Sequence, residues 1–299
     1  MRLWSSAQEL KPFLAPPLPS VYWIDIIRRC NLKCVICPQS KGLEELPAEM
    51  PADVFRRIID EIAGPRPLVK LYMSGEPLLH EGLFDMIEYA ATAGCDTMIH
   101  TNATLLTEEM TLRILASSLT FIAFSFDGCS PDVYERLRPP AKYAHVRSNI
   151  KRYFDLRQSS GRRGPHATIE IIAMRDTEPL LPDFVDEWSL SGADSVHVAE
   201  YLTWHGTVED RRVASPPADL QYRPCAAPFR HGCILSDGTV VPCCTDVNRR
   251  MPMGNVILAP LKTIWFGSNL RQLRMQLLTE TTAPESICTG CQNTFRQWR

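Results

Sequence analysis

Two hydrophobic rhythms take turns along the chain. Short runs rich in β-branched and aromatic residues give way to runs whose apolar positions recur every three or four residues. "VYWIDIIRR" (21–29) reads as a strand, and "PADVFRRIIDEIAG" (51–64) as a helix. In that helix Pro51 stands at the start, Val54, Ile58, Ile59 and Ile62 share a face, and Gly64 closes it. The pattern repeats with a strand at 68–75, a helix at 82–94, a strand at 96–103 and a Thr-capped helix at 107–118. A strand at 120–128 follows, then the helical "PDVYERLRPP" and "HVRSNIKRYFDLRQSSG". Strands at 167–174 and 195–202 flank the helical "LLPDFVDEWSLSG".

Six strand–helix units in roughly 180 residues predict a parallel sheet covered by helices. They fall short of a closed eight-stranded barrel, which takes about 250 residues. The expected fold is α/β: a partial (β/α)6 TIM-like barrel over residues 1–205, with a smaller C-terminal unit over 206–299. In such sheets ligands gather at the C-terminal strand ends. Polar and small residues sit at those ends: Cys30 after the first strand, Ser74, Gly75 and Glu76 after the second, Thr101 and Asn102 after the third, Ser125 and Asp127 after the fourth. In the tail, "CILSDGTVVPC" reads as a hairpin turning at Asp237–Gly238, and "LKTIWFGSNLRQLRMQLL" has helical periodicity.

Composition changes this picture little. Apolar residues make up 45% and charged residues 22% of the 299, and the net charge is −2. That balance gives no general attraction to nucleic acid or acidic membranes. No apolar run reaches the roughly 18 residues of a membrane span, and the first residues lack a signal-peptide core. The expectation is a cytoplasmic chain without nucleic-acid or membrane partners.

The 11 cysteines do change it. In a reducing compartment, grouped cysteines point to metal or redox chemistry rather than disulfides. Cys30, Cys34 and Cys37 are spaced C-x3-C-x2-C, with no fourth cysteine nearby. Thiolates suit zinc or iron–sulfur clusters. Structural zinc takes four ligands, whereas a four-iron cubane held by three thiolates keeps one iron open. A zinc completed by a distant residue, or three unrelated loop cysteines, are the plainer alternatives. The second group is Cys225, Cys243, Cys244, Cys288 and Cys291, with Cys233 in the hairpin packing as a small hydrophobe. On ligand chemistry alone this group reads equally as zinc or iron–sulfur, and Cys243 and Cys244 compete for one place.

"CNLKCVIC" after a first strand, "MSGEPLLH" after a second and "FSFDG" after a fourth together resemble the radical S-adenosylmethionine (SAM) enzymes. The resemblance covers nearly the whole chain. It implies a [4Fe–4S] cluster on Cys30, Cys34 and Cys37, whose open iron binds SAM and yields a 5′-deoxyadenosyl radical. It also places Ile36 near the adenine, where aromatic residues are commoner. Ser74, Gly75, Glu76 and Pro77 would meet the SAM amino group, with Thr101 and Asn102 nearby. Ser125 would contact the ribose beside Asp127, and Arg138 would pair with the SAM carboxylate. Plain readings stand beside these: a turn at Gly75 and Pro77, a loop at Asn102, a solvated helix face at Arg138.

"DGTVVPCC…GNV…LKTIW…LR…CTGC" resembles the SPASM/twitch extension of this family. That implies an auxiliary [4Fe–4S] cluster on Cys225, Cys243, Cys288 and Cys291, closest to the short twitch form. Such an arrangement is similar to the radical SAM dehydrogenases of aminocyclitol and aminoglycoside antibiotic biosynthesis, such as 2-deoxy-scyllo-inosamine dehydrogenase. The implied reaction oxidises a secondary alcohol of an aminocyclitol or sugar-like substrate to a ketone. The auxiliary cluster accepts an electron, and a flavodoxin- or ferredoxin-like protein serves as donor. His197 and His205 are the acid–base candidates, with Glu170, Arg175 and Trp204 nearby. Strand alternation puts His197 and Glu200 on opposite faces. Two other chemistries compete. One is peptide crosslinking, against which the roughly twenty residues before the first strand count, since leader-binding domains are larger. The other is epimerisation with Cys129 or Cys233 as hydrogen donor.

Overall fold

The computed structural model describes residues 15–43, 45–161, 163–213 and 222–295. Each predicted unit forms. The strands are β1 (Val21–Ile24), β2 (Leu68–Lys70), β3 (Asp96–Thr101), β4 (Phe121–Ser125), β5 (His166–Ala173) and β6 (Ser195–Glu200). Between them lie α1 (Ala52–Ile62), α2 (Leu83–Thr92), α3 (Glu108–Ala116), α4 (Pro131–Leu137), α5 (Tyr143–Ser159) and α6 (Leu181–Ser189). The tail holds α7 (Ala227–Arg230), β7 (His231–Ile234), β8 (Thr239–Val241), β9 (Gly254–Asn255), α8 (Leu261–Trp265) and α9 (Ser268–Thr279). Thr107 caps α3 through its side-chain oxygen, which accepts from Met110 N–H at 3.1 Å.

The nine strands form one sheet in the order β6-β5-β4-β3-β2-β1-β7-β8-β9. All pairs from β6 across to β7 are parallel, and only the β7–β8 and β8–β9 pairs are antiparallel. This is the expected partial barrel with a C-terminal strand-and-helix extension. The tail is not a separate layer, however, because β7 lies directly against β1, with Val21 opposite His231 and Ile24 opposite Ile234. The sheet buries one face under the helices. Ile24, Val69, Ile99, Ile122, Phe124 and Ile169 are at most 1% exposed and join one core with Phe55, Ile58 and Ile59 of α1. Each such side chain contributes roughly 1.5–3 kcal/mol by leaving water.

Two elements differ from the pattern-based reading. The first strand stops at Ile24, because the Asp25 carboxylate accepts from Ser74 O–H at 2.8 Å and pairs with Arg28 at 2.9 Å, turning the chain. The periodic run after Pro260 is two helices, α8 and α9, broken at Gly267. A Cβ at Gly267 would stand 3.0 Å from the Thr263 carbonyl oxygen.

Candidate active site and cysteine clusters

The loop after β1 carries the first three thiols, and its neighbours hold it closely. Ser74 N–H and O–H both donate to Asp25, and Glu76 N–H donates to the Arg29 carbonyl at 2.9 Å. A Cβ on Gly75 would lie 2.3 Å from the Ile27 carbonyl oxygen, so only glycine fits this backbone crossing. From the other side, Lys33 N–H donates to Pro139 O at 2.7 Å and Val35 N–H to Leu137 O at 3.0 Å. The thiols face one another. Burial pushes each of them up, and the charge of Cys34 on Cys30, of Cys37 on Cys34 and of Cys30 on Cys37 adds to it. The Arg138 guanidinium works against this at Cys34 and Cys37.

The residues expected to surround SAM are brought together on this rim. Glu76 is buried, and its carboxylate is engaged by the protein itself. It accepts from Thr101 O–H at 2.6 Å, Asn102 N–H at 2.7 Å and Leu78 N–H at 3.1 Å. It therefore ties the loop after β2, where Pro77 opens a short turn, to the end of β3. Asn102 donates to Asn31 at 3.0 Å and lies 3.8 Å from Cys30 Sγ. Arg138 donates through Nε to Asp127 at 2.8 Å and through Nη2 to Ser125 at 2.9 Å. Its Nη1 edge carries no protein partner among the described residues. Ile36 is buried in a small apolar group with Leu137, Met174, Tyr201 and Val208.

Below this rim the barrel interior is polar. Alternation along β2 and β3 turns Lys70, Tyr72, Met98 and His100 away from the helices that cover Val69, Leu71 and Ile99. Glu170 on β5 stands between two histidines. His197 Nδ1 is 2.9 Å from Glu170 Oε2, and His100 Nε2 is 3.2 Å from Oε1, out of hydrogen-bonding alignment. Burial alone would raise the Glu170 carboxyl, but His100 and His197 hold it below the ordinary range. Burial lowers both His100 and Lys70. The Lys70 ammonium lies 4.2 Å from the Trp23 ring centre, with no carboxylate in ion-pair reach among the described residues. Lys70, Tyr72 and His100 escape a reading that looks only at strand ends, although the alternation of "LVKLYM" and "DTMIHT" carries them.

The remaining candidates separate. His197 reaches the interior, while Glu200 is exposed on the opposite side of β6. His205 leaves the interior altogether and lies 2.9 Å from Thr245 Oγ1, near the second cysteine group. Cys129 packs against the main apolar core, near Tyr143, and Cys233 is fully buried in β7. Arg175 donates to the Asp210 carbonyl.

In the tail the structure divides the paired cysteines. Burial pushes Cys288 up to about 12, and the charges of Cys243, Cys225 and Cys291 add to it. Cys243 likewise feels Cys291. Cys244 packs with Cys233, Leu235 and Trp23, and it feels Lys70 as well as Cys243 and Cys225. Cys291 N–H turns back to the Cys288 carbonyl at 3.3 Å. Cys225, Cys243, Cys288 and Cys291 thus lie within electrostatic reach of one another, with Cys244 beside Cys243 and Cys225. Among the described residues no three His, Cys, Asp or Glu side chains converge on a single-ion site. A four-iron cubane binds its thiolates at separate iron corners and so sets them further apart than one ion does. The donor sets, three and four half-buried cysteines, fit two such clusters.

An open parallel barrel with three thiols at its first strand end, and four more packed beside it, defines an iron–sulfur barrel enzyme. The radical SAM superfamily model matches residues 24–176, and an iron–sulfur cluster-binding domain model of the SPASM type matches residues 225–292. The chain belongs to the radical SAM superfamily. Its cofactors are SAM and two [4Fe–4S] clusters. It is 25% identical over 213 residues to a PqqA peptide cyclase of Rhodopseudomonas palustris, covering 70% of this chain and 54% of that protein. It is 35% identical over 111 residues to an Fe-coproporphyrin III synthase of Methanosarcina barkeri, covering 37% and 27%. The chain spans about half the length, or less, of these curated relatives. The fold is shared with BtrN in complex with AdoMet and 2-DOIA: TM-score 0.61, 18% identity, 95% of this chain and 98% of that one. It is shared too with Streptococcus suis SuiB bound to its precursor peptide SuiA: TM-score 0.72, 16% identity, 89% and 69%. No helix among the described residues is long and apolar enough to cross a membrane.

Proposed function

We propose that the chain is a radical SAM oxidoreductase that oxidises a secondary alcohol of a small aminocyclitol or sugar-like substrate to a ketone. The polar barrel interior carries this reading. Closed eight-stranded barrels fill their interior with packed aliphatic layers. Here Lys70, Tyr72, His100, Glu170 and His197 occupy the equivalent face, which favours a polar, hydrogen-bonding ligand. The two clusters and SAM supply a hydrogen-abstracting carbon radical and a sink for one electron. Cys30, Cys34 and Cys37 would hold the first cluster, and Cys225, Cys243, Cys288 and Cys291 the second.

What the chain itself must handle is the hydroxyl proton. On this reading His100 takes it, being neutral through burial, with the Glu170 carboxylate beside the ring. His197, with its side chain 60% exposed, opens that pair to solvent. Arg138, with its free Nη1 edge, would meet the SAM carboxylate, and Ser125 would be held toward the ribose. Residues to 205 would form the radical-generating barrel and residues from 206 the auxiliary-cluster unit. A flavodoxin- or ferredoxin-like protein would supply the electron for SAM cleavage.

The test is anaerobic incubation of the reconstituted holoenzyme with SAM, reductant and a panel of aminocyclitols. A product two mass units below its substrate supports the reading. Loss of that product in His100→Gln, with SAM cleavage retained, supports the proton assignment. A second reading, peptide crosslinking, is favoured by the similarity to PqqA peptide cyclases over 70% of the chain. Turnover of a ribosomal peptide and of no aminocyclitol would put it first.

A further inference from the structure

A line of polar contacts runs from the surface to one of the auxiliary thiols. Cys243 Sγ lies 3.0 Å from Thr245 Oγ1, and the same hydroxyl oxygen lies 2.9 Å from His205 Nε2. Thr245 is buried at 8% exposure. His205 stands on the wall of a cavity of about 290 Å³ together with Trp204, Arg250 and Cys291.

The position of His205 is held against a backbone preference. Trp204 and His205 both adopt left-handed backbone, with φ of 50° and 56°. Such conformations cost residues with a Cβ roughly 1–3 kcal/mol each and persist only where surrounding contacts impose them. Here Gln292, the residue after Cys291, provides those contacts. Its Oε1 accepts from Thr203 N–H at 3.3 Å and its Nε2 donates to the Tyr201 carbonyl at 2.8 Å. The segment leaving β6 is thus fastened to the Cys288–Cys291 turn, with His205 facing Thr245.

The direction of the bonds follows from the ligand. A thiolate that binds iron has no proton to give, so the Thr245 hydroxyl must donate to Cys243. Its oxygen then accepts from His205 Nε2; because the ring also bonds the Ile287 backbone, this arrangement calls for both ring nitrogens to carry protons, opposed by burial and favoured by the Asp246 charge. Hydrogen bonds to cluster sulfurs stabilise the more negative, reduced state and so raise the reduction potential. We propose that Thr245 and His205 are positioning residues that raise the potential of the auxiliary cluster, Thr245 by donating to Cys243 and His205 by aiming that hydroxyl. This deepens the proposed function and rests on its assignment of the second cluster. It gives His205 a part that needs no contact with substrate.

The test is a redox titration of the anaerobically reconstituted holoenzyme followed by electron paramagnetic resonance, with iron counted in each sample. Thr245→Val should lower the midpoint of the auxiliary cluster tenfold in its one-electron equilibrium, about 59 mV. His205→Leu should lower it less, and Thr245→Ser should restore it, while the midpoint of the first cluster stays put in all three. Wild-type midpoints in both Thr245→Val and His205→Leu, with about eight irons bound, would overturn the proposal alone. About four irons in the wild type would overturn the auxiliary cluster and the proposal with it. If Thr245→Val does not take up iron, His205→Leu decides on its own.

Discussion

Arg138 and Asp127 form a buried ion pair, joined through Nε at 2.8 Å and Nη2 at 2.7 Å. Asp127 also accepts from Ile172 N–H at 2.8 Å, so the pair connects the ends of β4, β5 and α4. Its guanidinium is the nearest compensating charge for Cys34. One ion pair thus serves both the sheet and the thiol loop.

Removing the acid should leave a buried, uncompensated cation. Asp127→Asn is expected to cost about 3–5 kcal/mol, read as a lowered Tm in calorimetry. A Tm equal to that of the wild type would show that solvent reaches Arg138 and that the pair is dispensable.

Gly75→Ala tests the crossing of the first two loops. The added methyl meets the Ile27 carbonyl at 2.3 Å and must push the loops apart. Overpacking of this kind costs about 1–3 kcal/mol. The variant should lose stability and should bind SAM weakly in equilibrium dialysis. Unchanged SAM affinity would separate the Gly75 crossing from cofactor binding.

The adjacent cysteines should behave differently. Cys243→Ala should lose the auxiliary cluster, dropping from about eight to about four irons per chain. Cys244→Ala should keep all of them, and the reverse result would exchange the two assignments. Alanine at Cys30, Cys34 or Cys37 should abolish 5′-deoxyadenosine formation, measured by chromatography after reduction. Formation at the wild-type rate would remove that cysteine from the first cluster.

Acidification should weaken the interior around Glu170. Its carboxyl is held below the ordinary range, so its stabilising contribution is complete above the unfolded pKa, about 4.3. The contribution is lost as pH falls through the lower folded value. The Tm gap between wild type and Glu170→Gln should therefore be wider at pH 7 than at pH 3. A gap independent of pH would mean that the carboxylate gains nothing from His100 and His197.

Much of this architecture is local and therefore legible in the sequence. Apolar spacing within each segment marks the helices of the barrel, and the thiol spacing marks both cysteine groups. Pairing partners are not local. Nothing in "HGCIL" announces that it lies against "VYWI" some two hundred residues earlier. The interior residues are an intermediate case. His100 and Lys70 are visible in the alternation of their strands, but the tie from His100 to Glu170 crosses β4 and needs the sheet's curvature. Chain order puts His205 and Cys129 beside the strand ends, and the structure adds what the sequence does not carry: His205 faces Thr245, and Cys129 packs near Tyr143. Glu76 is a different lesson: a residue of the motif can act by bracing its neighbours, with its own carboxylate fully engaged.

The seam between β1 and β7 also sets the order in which the molecule can be completed. While the chain is being synthesised, Val21–Ile24 has β2 on one side and a bare edge on the other. That edge stays open until residues 231–234 have left the ribosome. The three-thiol loop begins directly after this strand, so its anchor is the last part of the barrel to be finished. A chain stopped before residue 231 would therefore leave this strand with an unpaired flank beside the three-thiol loop.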